Sequence, residues 1–379
     1  MYFPHFAGEE YDFYVFRGEK TDTISTGRIG EDGYVYLSTS PKSPPWEGTS
    51  GNSPSLGGGR GEVAGMGRWL LRNGGGLDFI INGEDFSVSC TEAMPNDNNI
   101  VYEGSRENDY LHELYYRQQE ILQKAGALQM LINAYTNLSP DPSPQERGGA
   151  RSAENDALRA PSLVERAGGE VDAMLALVEL EVERQNKLFE ELVNETRQSS
   201  LYAARYHRIS DFYNWIPLYS ILNNNMMNEK KRLAERRRFI SEELDMDALY
   251  TSGLWNAVIS QTFELYPDKA EFGDAMVKAL KRTRSQAAFE QLATDLVTIT
   301  EQYGWEEAGE KIVGYLIQSG RIEKANARLE RAFTVRKAKP GDKAPALHLP
   351  PTPLRKRGEK SRRPSWSFTK RVAGHARTR

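Results

Sequence analysis

Ile100-Val-Tyr-Glu-Gly-Ser-Arg-Glu-Asn-Asp-Tyr-Leu-His-Glu-Leu114 is where the chain changes character. Ile100-Val-Tyr102 is β-branched and aromatic, and Gly104 punctuates it. Ser105-Arg-Glu-Asn108 supplies a candidate N-cap. Tyr110, Leu111, Leu114, Tyr115, Gln118, Ile121 and Leu122 then recur at helical spacing. The chain reads as β before this point and α after it. The expected fold class is α+β, multidomain: a small antiparallel β-sandwich or barrel over 1–104, then an all-α helical domain over 105–335.

Upstream, Tyr11-Asp-Phe-Tyr-Val-Phe16 and Thr23–Ile29 read as strands. Glu31-Asp-Gly33 reads as a turn into a further strand, Tyr34-Val-Tyr-Leu37. Leu77-Asp-Phe-Ile-Ile81, the turn Asn82-Gly83 and Phe86-Ser-Val-Ser-Cys90 predict a hairpin. Residues 41–65, rich in Ser, Pro and Gly, interrupt this domain as a mobile loop. Gly57-Gly-Gly-Arg-Gly61 within it lacks both the P-loop and the dinucleotide-binding spacing, so it is not a phosphate cradle.

Downstream, the first helix is expected to reach about Tyr135. A mobile linker follows over 138–156, then a long amphipathic helix from Val171 to Thr196 with Met174, Leu177, Val178, Leu188, Phe189 and Leu192 on its stripe. Further helices are expected over 200–213, 217–243, 247–265, 269–284, 287–303, 305–318 and 320–335, with breakers at Pro217, Asp245, Pro267-Asp268, Gly304 and Gly320. Short turns between such segments predict a bundle or helical array.

The charge is uneven. A net −4 for the chain and fourteen Lys/Arg against Asp342 and Glu359 from Arg336 onward put about −16 on the rest. No run approaches the ~20 apolar residues of a membrane span, and no secretory signal precedes the strand-like start. The single cysteine, Cys90, excludes an internal disulfide and any Cys-x-x-Cys in this chain; a half-buried strand thiol is expected.

No catalytic, cofactor-binding or metal-binding residue is assigned, and no cofactor. His112 and His207 lack ligand spacing and read as helix-surface histidines. Lys230-Lys-Arg-Leu-Ala-Glu-Arg-Arg-Arg238 reads as a solvated basic face rather than a nucleic-acid contact. Tyr202, Tyr206, Phe212, Tyr213, Trp215 and Tyr219 read as core. Taken alone, residues 1–335 describe a binding or structural protein.

A resemblance adds to this. Gly30-Glu-Asp-Gly33, Gly65-Met-Gly-Arg-Trp-Leu-Leu71, Gly76-Leu-Asp-Phe-Ile-Ile-Asn-Gly-Glu84, Tyr102-Glu-Gly-Ser-Arg-Glu-Asn108 and Ser200-Leu-Tyr-Ala-Ala-Arg205 resemble the N-terminal portion of Bacteroidetes-type thioredoxin-like thiol:disulfide oxidoreductases. In that family a β-domain and a helical region precede the thioredoxin-like domain that carries the chemistry. Lys339-Pro-Gly-Asp-Lys-Ala-Pro-Ala-Leu347, within 336–349, is similar to the opening of such a domain. The resemblance implies dithiol–disulfide exchange through Cys-x-x-Cys without metal or organic cofactor, a periplasmic or envelope location, and disulfide-bearing substrate proteins or envelope components as partners. From the charge balance no nucleic-acid partner is expected, and the oligomeric state is left open.

Residues 350–379 carry neither the strand nor the cysteines expected next; they read as a disordered basic tail. Two origins are open: a genuine basic arm, or a shifted reading frame. Read from each codon's third base, and with the serines encoded by TCN, Pro364 to Thr378 permits an apolar run ending in Tyr or His and, after three further residues, Cys-Gly-Pro-Cys. The expected function is the non-catalytic N-terminal portion of a thiol:disulfide oxidoreductase, inactive in this chain. The alternatives are an envelope binding protein with a native basic tail, and a regulatory helical protein of no redox ancestry.

Overall fold

Tyr11 and Phe13 alternate with Asp12 and Tyr14, the period of a strand with two unlike faces. They lie on β1 (Glu10–Arg17), which forms a hairpin with β2 (Lys20–Arg28). In the computed structural model, which describes residues 1–37, 65–96, 98–138, 163–216 and 227–337, β1 pairs on its other side with β3 (Gly65–Leu71). β3 in turn pairs with β4 (Gly76–Ile81), giving an antiparallel sheet in the order β2-β1-β3-β4. A two-stranded antiparallel ribbon, β5 (Ser87–Ser89) with β6 (Val101–Glu103), completes the β portion. The fold is thus antiparallel β followed by helices.

Three pairings differ from expectation. Residues 77–81 and 86–90 do not form a hairpin; β4 pairs with β3, and β5 with β6. Asn82-Gly83 does turn the chain, with Gly83 at φ 83° and the Glu84 N–H donating to Asn82 Oδ1. The turn redirects the chain without closing a ladder. Tyr34–Leu37 is no strand: Tyr34 makes an isolated bridge to Tyr2, and Val35 exchanges two hydrogen bonds with Met1. The third difference is β3 itself, an interior strand whose two glycines mask its alternation. A Cβ at Gly67 would sit 2.6 Å from the Ile81 side chain and 2.8 Å from the Phe13 ring, so the glycine makes room for that ring.

The sheet is covered on both faces. On one side Phe13, Trp69 and Phe79 pack with Phe3, Val88 and Cys90 from outside the sheet; the Phe13 and Phe79 rings stack with centroids 5.6 Å apart. On the other side Met66 and Ile80 join the core of the helical portion. Residues 1–336 accordingly form one compact unit.

Long helices α1 (Arg106–Leu138) and α2 (Leu163–Gln198) pack together through Leu114, Ile121, Phe189 and Leu192. Then follow α3 (Tyr202–Tyr213), α4 (Met227–Arg238) and a π-helical turn, Phe239–Glu243. The helix expected over 247–265 is two: α5 (Met246–Tyr250) and α6 (Trp255–Glu264). Gly253, at φ 78°, and the Ser252 hydroxyl, which accepts the Leu254 N–H, separate them. Next come α7 (Lys269–Arg282), α8 (Gln286–Gln302) and α9 (Glu306–Ser319), capped at their N-termini by Asp268 and Ser285 for the first two. The last, α10 (Ala327–Lys337), starts later than expected because Asn326 Oδ1 accepts the Arg328 and Leu329 N–H groups. No described helix is long and apolar enough to cross a membrane. The loop expected over 41–65 (save Gly65), the linker over 138–156 (save Leu138) and the tail over 350–379 lie outside the described residues.

Candidate functional site

The β and helical portions meet where β6 turns into α1. Ser105 caps α1 by accepting the Asn108 N–H at 3.3 Å. Asn108, 3% exposed, aims its carboxamide at the outer edge of β4: Oδ1 accepts the Ile80 N–H (2.7 Å), and Nδ2 donates to the Ile80 carbonyl (2.9 Å) and to Ser105 Oγ (2.7 Å). The side chain thus replaces the peptide group of a missing neighbour strand. One residue earlier, buried Glu107 accepts the Tyr202 N–H (3.1 Å) and the Ala203 N–H (2.8 Å), the first donors of α3. Leu201, at the N-cap of α3, offers no side-chain acceptor, so Glu107 performs the capping from another helix. Tyr202 Oη receives a hydrogen bond from Thr251 Oγ1, and the Thr251 carbonyl accepts the Met66 N–H of β3.

Beside this junction a cleft of about 650 Å³ opens between β4, β6 and α1. Asp78 of β4, Ile100 and Tyr102 near β6, and His112, Tyr115, Tyr116 and Glu120 of α1 line it. Asp78 is held by Arg68 through two hydrogen bonds of 2.7 Å. Glu120 accepts a 2.7 Å bond from Lys124, which holds its carboxyl below the usual range. Exposed pairs of this kind contribute little stability.

Behind Tyr115 lies a buried pair. His207 is 1% exposed, its ring 4.9 Å from that of Tyr115, and its Nδ1 is 3.3 Å from Asp211 Oδ2. Neither imidazole nitrogen has a hydrogen-bond partner among the described residues; Asp211 Oδ1 accepts from Gln118 Nε2 at 2.8 Å. Burial pushes the Asp211 carboxyl up to about 7, against Gln118 and Arg208, which lower it, and pushes the His207 imidazole down to about 4. The contributions to stability oppose each other. That of Asp211 is full below its ordinary 3.8 and is lost as pH rises through 7; that of His207 is full above its ordinary 6.5 and is lost as pH falls toward 4. Acidification from pH 6.5 to 4.5 is therefore expected to destabilise Asp211→Asn by about 2 kcal/mol relative to wild type, and to stabilise His207→Gln by a similar amount. Urea denaturation at the two pH values checks both signs.

Other sequence expectations fall out differently. His207 is not a surface residue, because α3 is enclosed by α1, α2 and the following helices; His112 is exposed on α1. The run 230–238 is not simply a solvated face. Arg236 is 4% exposed, lies 3.8 Å over the Trp215 ring and donates to the Phe212 carbonyl and Gln261 Oε1. Arg237 donates to the Leu265 carbonyl at 2.7 Å. Lys230, Lys231 and Arg232 are exposed. Of the aromatic cluster, Tyr202 and Phe212 are core, Tyr206 is half-buried, and Tyr213 and Trp215 are exposed; Tyr219 lies outside the described residues. Glu107 and Asn108 were legible only as part of a local cap, since their partners are distant in sequence.

Cys90 is fully buried rather than half-buried, at 2% exposure. Its Sγ donates to Asn99 Oδ1 at 3.4 Å. Ellman's reagent is expected to react with it about a hundredfold more slowly in native buffer than in guanidinium chloride, because access requires local opening. Among the described residues no three His, Cys, Asp or Glu side chains converge as metal ligands would. No family model, curated protein or solved structure matches the chain.

Proposed function

We propose that the chain is the non-catalytic N-terminal portion of a thioredoxin-like thiol:disulfide oxidoreductase of the cell envelope. One observation supports this reading. Four of the five stretches that carry the resemblance meet at one junction: Met66 from 65–71, Ile80 from 76–84, Glu107 and Asn108 from 102–108, and Tyr202 and Ala203 from 200–205. Stretches kept for a shared architecture should close on one another in space, whereas a chance set should scatter. In this reading the junction residues are structural and the chemistry belongs to a Cys-x-x-Cys pair encoded after Leu349 in another frame.

The nucleotide sequence of the last forty or so codons tests it. A frame that runs on from the Lys339–Leu347 segment into an apolar strand and Cys-x-x-Cys is expected. A stop in every shifted frame before such a motif overturns the reading. The purified chain is expected not to accelerate insulin reduction by dithiothreitol, since its one thiol is buried and exchange turnover needs two. A second reading, an envelope binding protein whose basic tail is native, is favoured by the cleft between β4, β6 and α1.

A further inference from the structure

We propose that the cleft is a docking site for an extended, neutral or basic polypeptide segment, which pairs through its backbone with the open edge of β4 at Asp78. The inference stands on the geometry of this edge and holds whichever origin the tail has.

In an antiparallel ladder the residues alternate between those that bond to one neighbour and those that bond to the other. Ile80 directs its N–H and carbonyl away from β3, since both are taken by Asn108. Asp78, two residues earlier and opposite Arg68 in the same register, must direct its own N–H and carbonyl the same way. β4 is the terminal strand of its sheet, so no strand among the described residues covers them. Asn108 shows how a peptide group sits on this edge; the next pairing position lies about 7 Å further along, at the cleft. An open strand edge with recognition surface beside it is what strand addition requires: main-chain bonds give affinity and side-chain pockets give selectivity.

The walls suit such a segment. Tyr102, Tyr115 and Tyr116 offer ring surface for side chains of the added strand. Among the described residues the lining includes no lysine or arginine; its carboxylates, Asp78 and Glu120, are paired with Arg68 and Lys124 just outside it, so the charge preference comes from the chain body before Arg336, which carries about −16. An acidic segment is disfavoured there and a basic one steered in.

The probe is a fluorescein-labelled peptide of alternating valine and lysine, titrated with the full chain and read by anisotropy. Saturable binding is expected. N-methylation of alternate residues removes backbone donors while keeping charge and side chains, and is expected to weaken binding by about tenfold or more in one of the two registers. A valine–glutamate peptide should bind at least about tenfold more weakly than the parent. Gln119→Trp, a substitution at an exposed α1 position on the cleft wall, should fill the site and cause a similar loss. Asp78→Pro should do so by removing the edge N–H, with Asp78→Asn retaining binding within about threefold. Absence of saturable binding, equal affinity for both N-methylated registers and the parent, or unchanged affinity of Gln119→Trp overturns the proposal. Because Gln119→Trp and the modified peptides leave the sheet intact, misfolding of Asp78→Pro does not decide the outcome. None of these results bears on the nucleotide test of the redox reading.

Discussion

Replacement of Asn108 by leucine is expected to lower the unfolding free energy by about 3–5 kcal/mol, measured by urea denaturation followed by circular dichroism. The side chains are of similar size, so little cavity forms. What is lost is polar. The Ile80 N–H and carbonyl, bonded to Asn108 at 2.7 and 2.9 Å in a region where Ile80 is 1% exposed, are left without partners. Each stranded group costs about 1–3 kcal/mol. Asn108→Asp should be nearly as harmful, because a carboxylate can accept from the Ile80 N–H but cannot donate to its carbonyl. A loss below about 1 kcal/mol for the leucine variant would show that the carboxamide does not hold the strand edge.

Replacement of Glu107 by alanine is expected to cost about 3–4 kcal/mol by the same measurement. Its two oxygens satisfy the Tyr202 and Ala203 N–H groups, at residues 1% and 0% exposed, so truncation strands two buried donors at once. The carboxylate also meets the positive end of the α3 dipole. Glu107→Gln keeps one oxygen acceptor and should lose only about 1–2 kcal/mol. Loss of the α3 cap should further loosen the Tyr202–Thr251–Met66 connection. Hydrogen exchange at the Met66 amide, which donates to the Thr251 carbonyl at 2.8 Å, is therefore expected to rise in Glu107→Ala.

Helices were the more legible half of the molecule. α7, α8 and α9 begin and end within two residues of expectation, because Asp268, Ser285 and Gly320 are local signals read by the adjacent backbone. The break between α5 and α6 is made locally by Ser252 and Gly253, and the Thr251 carbonyl beside it accepts the Met66 N–H of β3, a contact that sequence spacing does not encode. Strand partners were misassigned for the same reason. Residues 77–81 and 86–90 have a good turn between them, yet β4 finds a better partner in β3, where Gly67 admits the Phe13 ring. A two-sided buried sheet also lacks the clean alternation that marks a strand with one wet face.

The site shows the same division. Burial of His207 and Arg236 was not legible, because the stripe of a single helix says which residues share a face and not what covers it. The cleft could not be read at all: Asp78, Tyr102 and Tyr116 converge only after β4, β6 and α1 are placed together.

By itself the sequence determined the order of the two portions, the point of transition at Ser105, the helix caps, and the absence of a second thiol. These follow from interactions between residues a few positions apart, or from composition alone. Tertiary structure decided which strands pair, that the sheet is covered on both faces, that Glu107 and Asn108 serve α3 and β4 rather than only their own helix, and that an open strand edge faces a cleft. The Asn108 and Glu107 contacts span between 28 and 96 residues of chain, and there the energy is set by burial and by satisfaction of distant backbone groups.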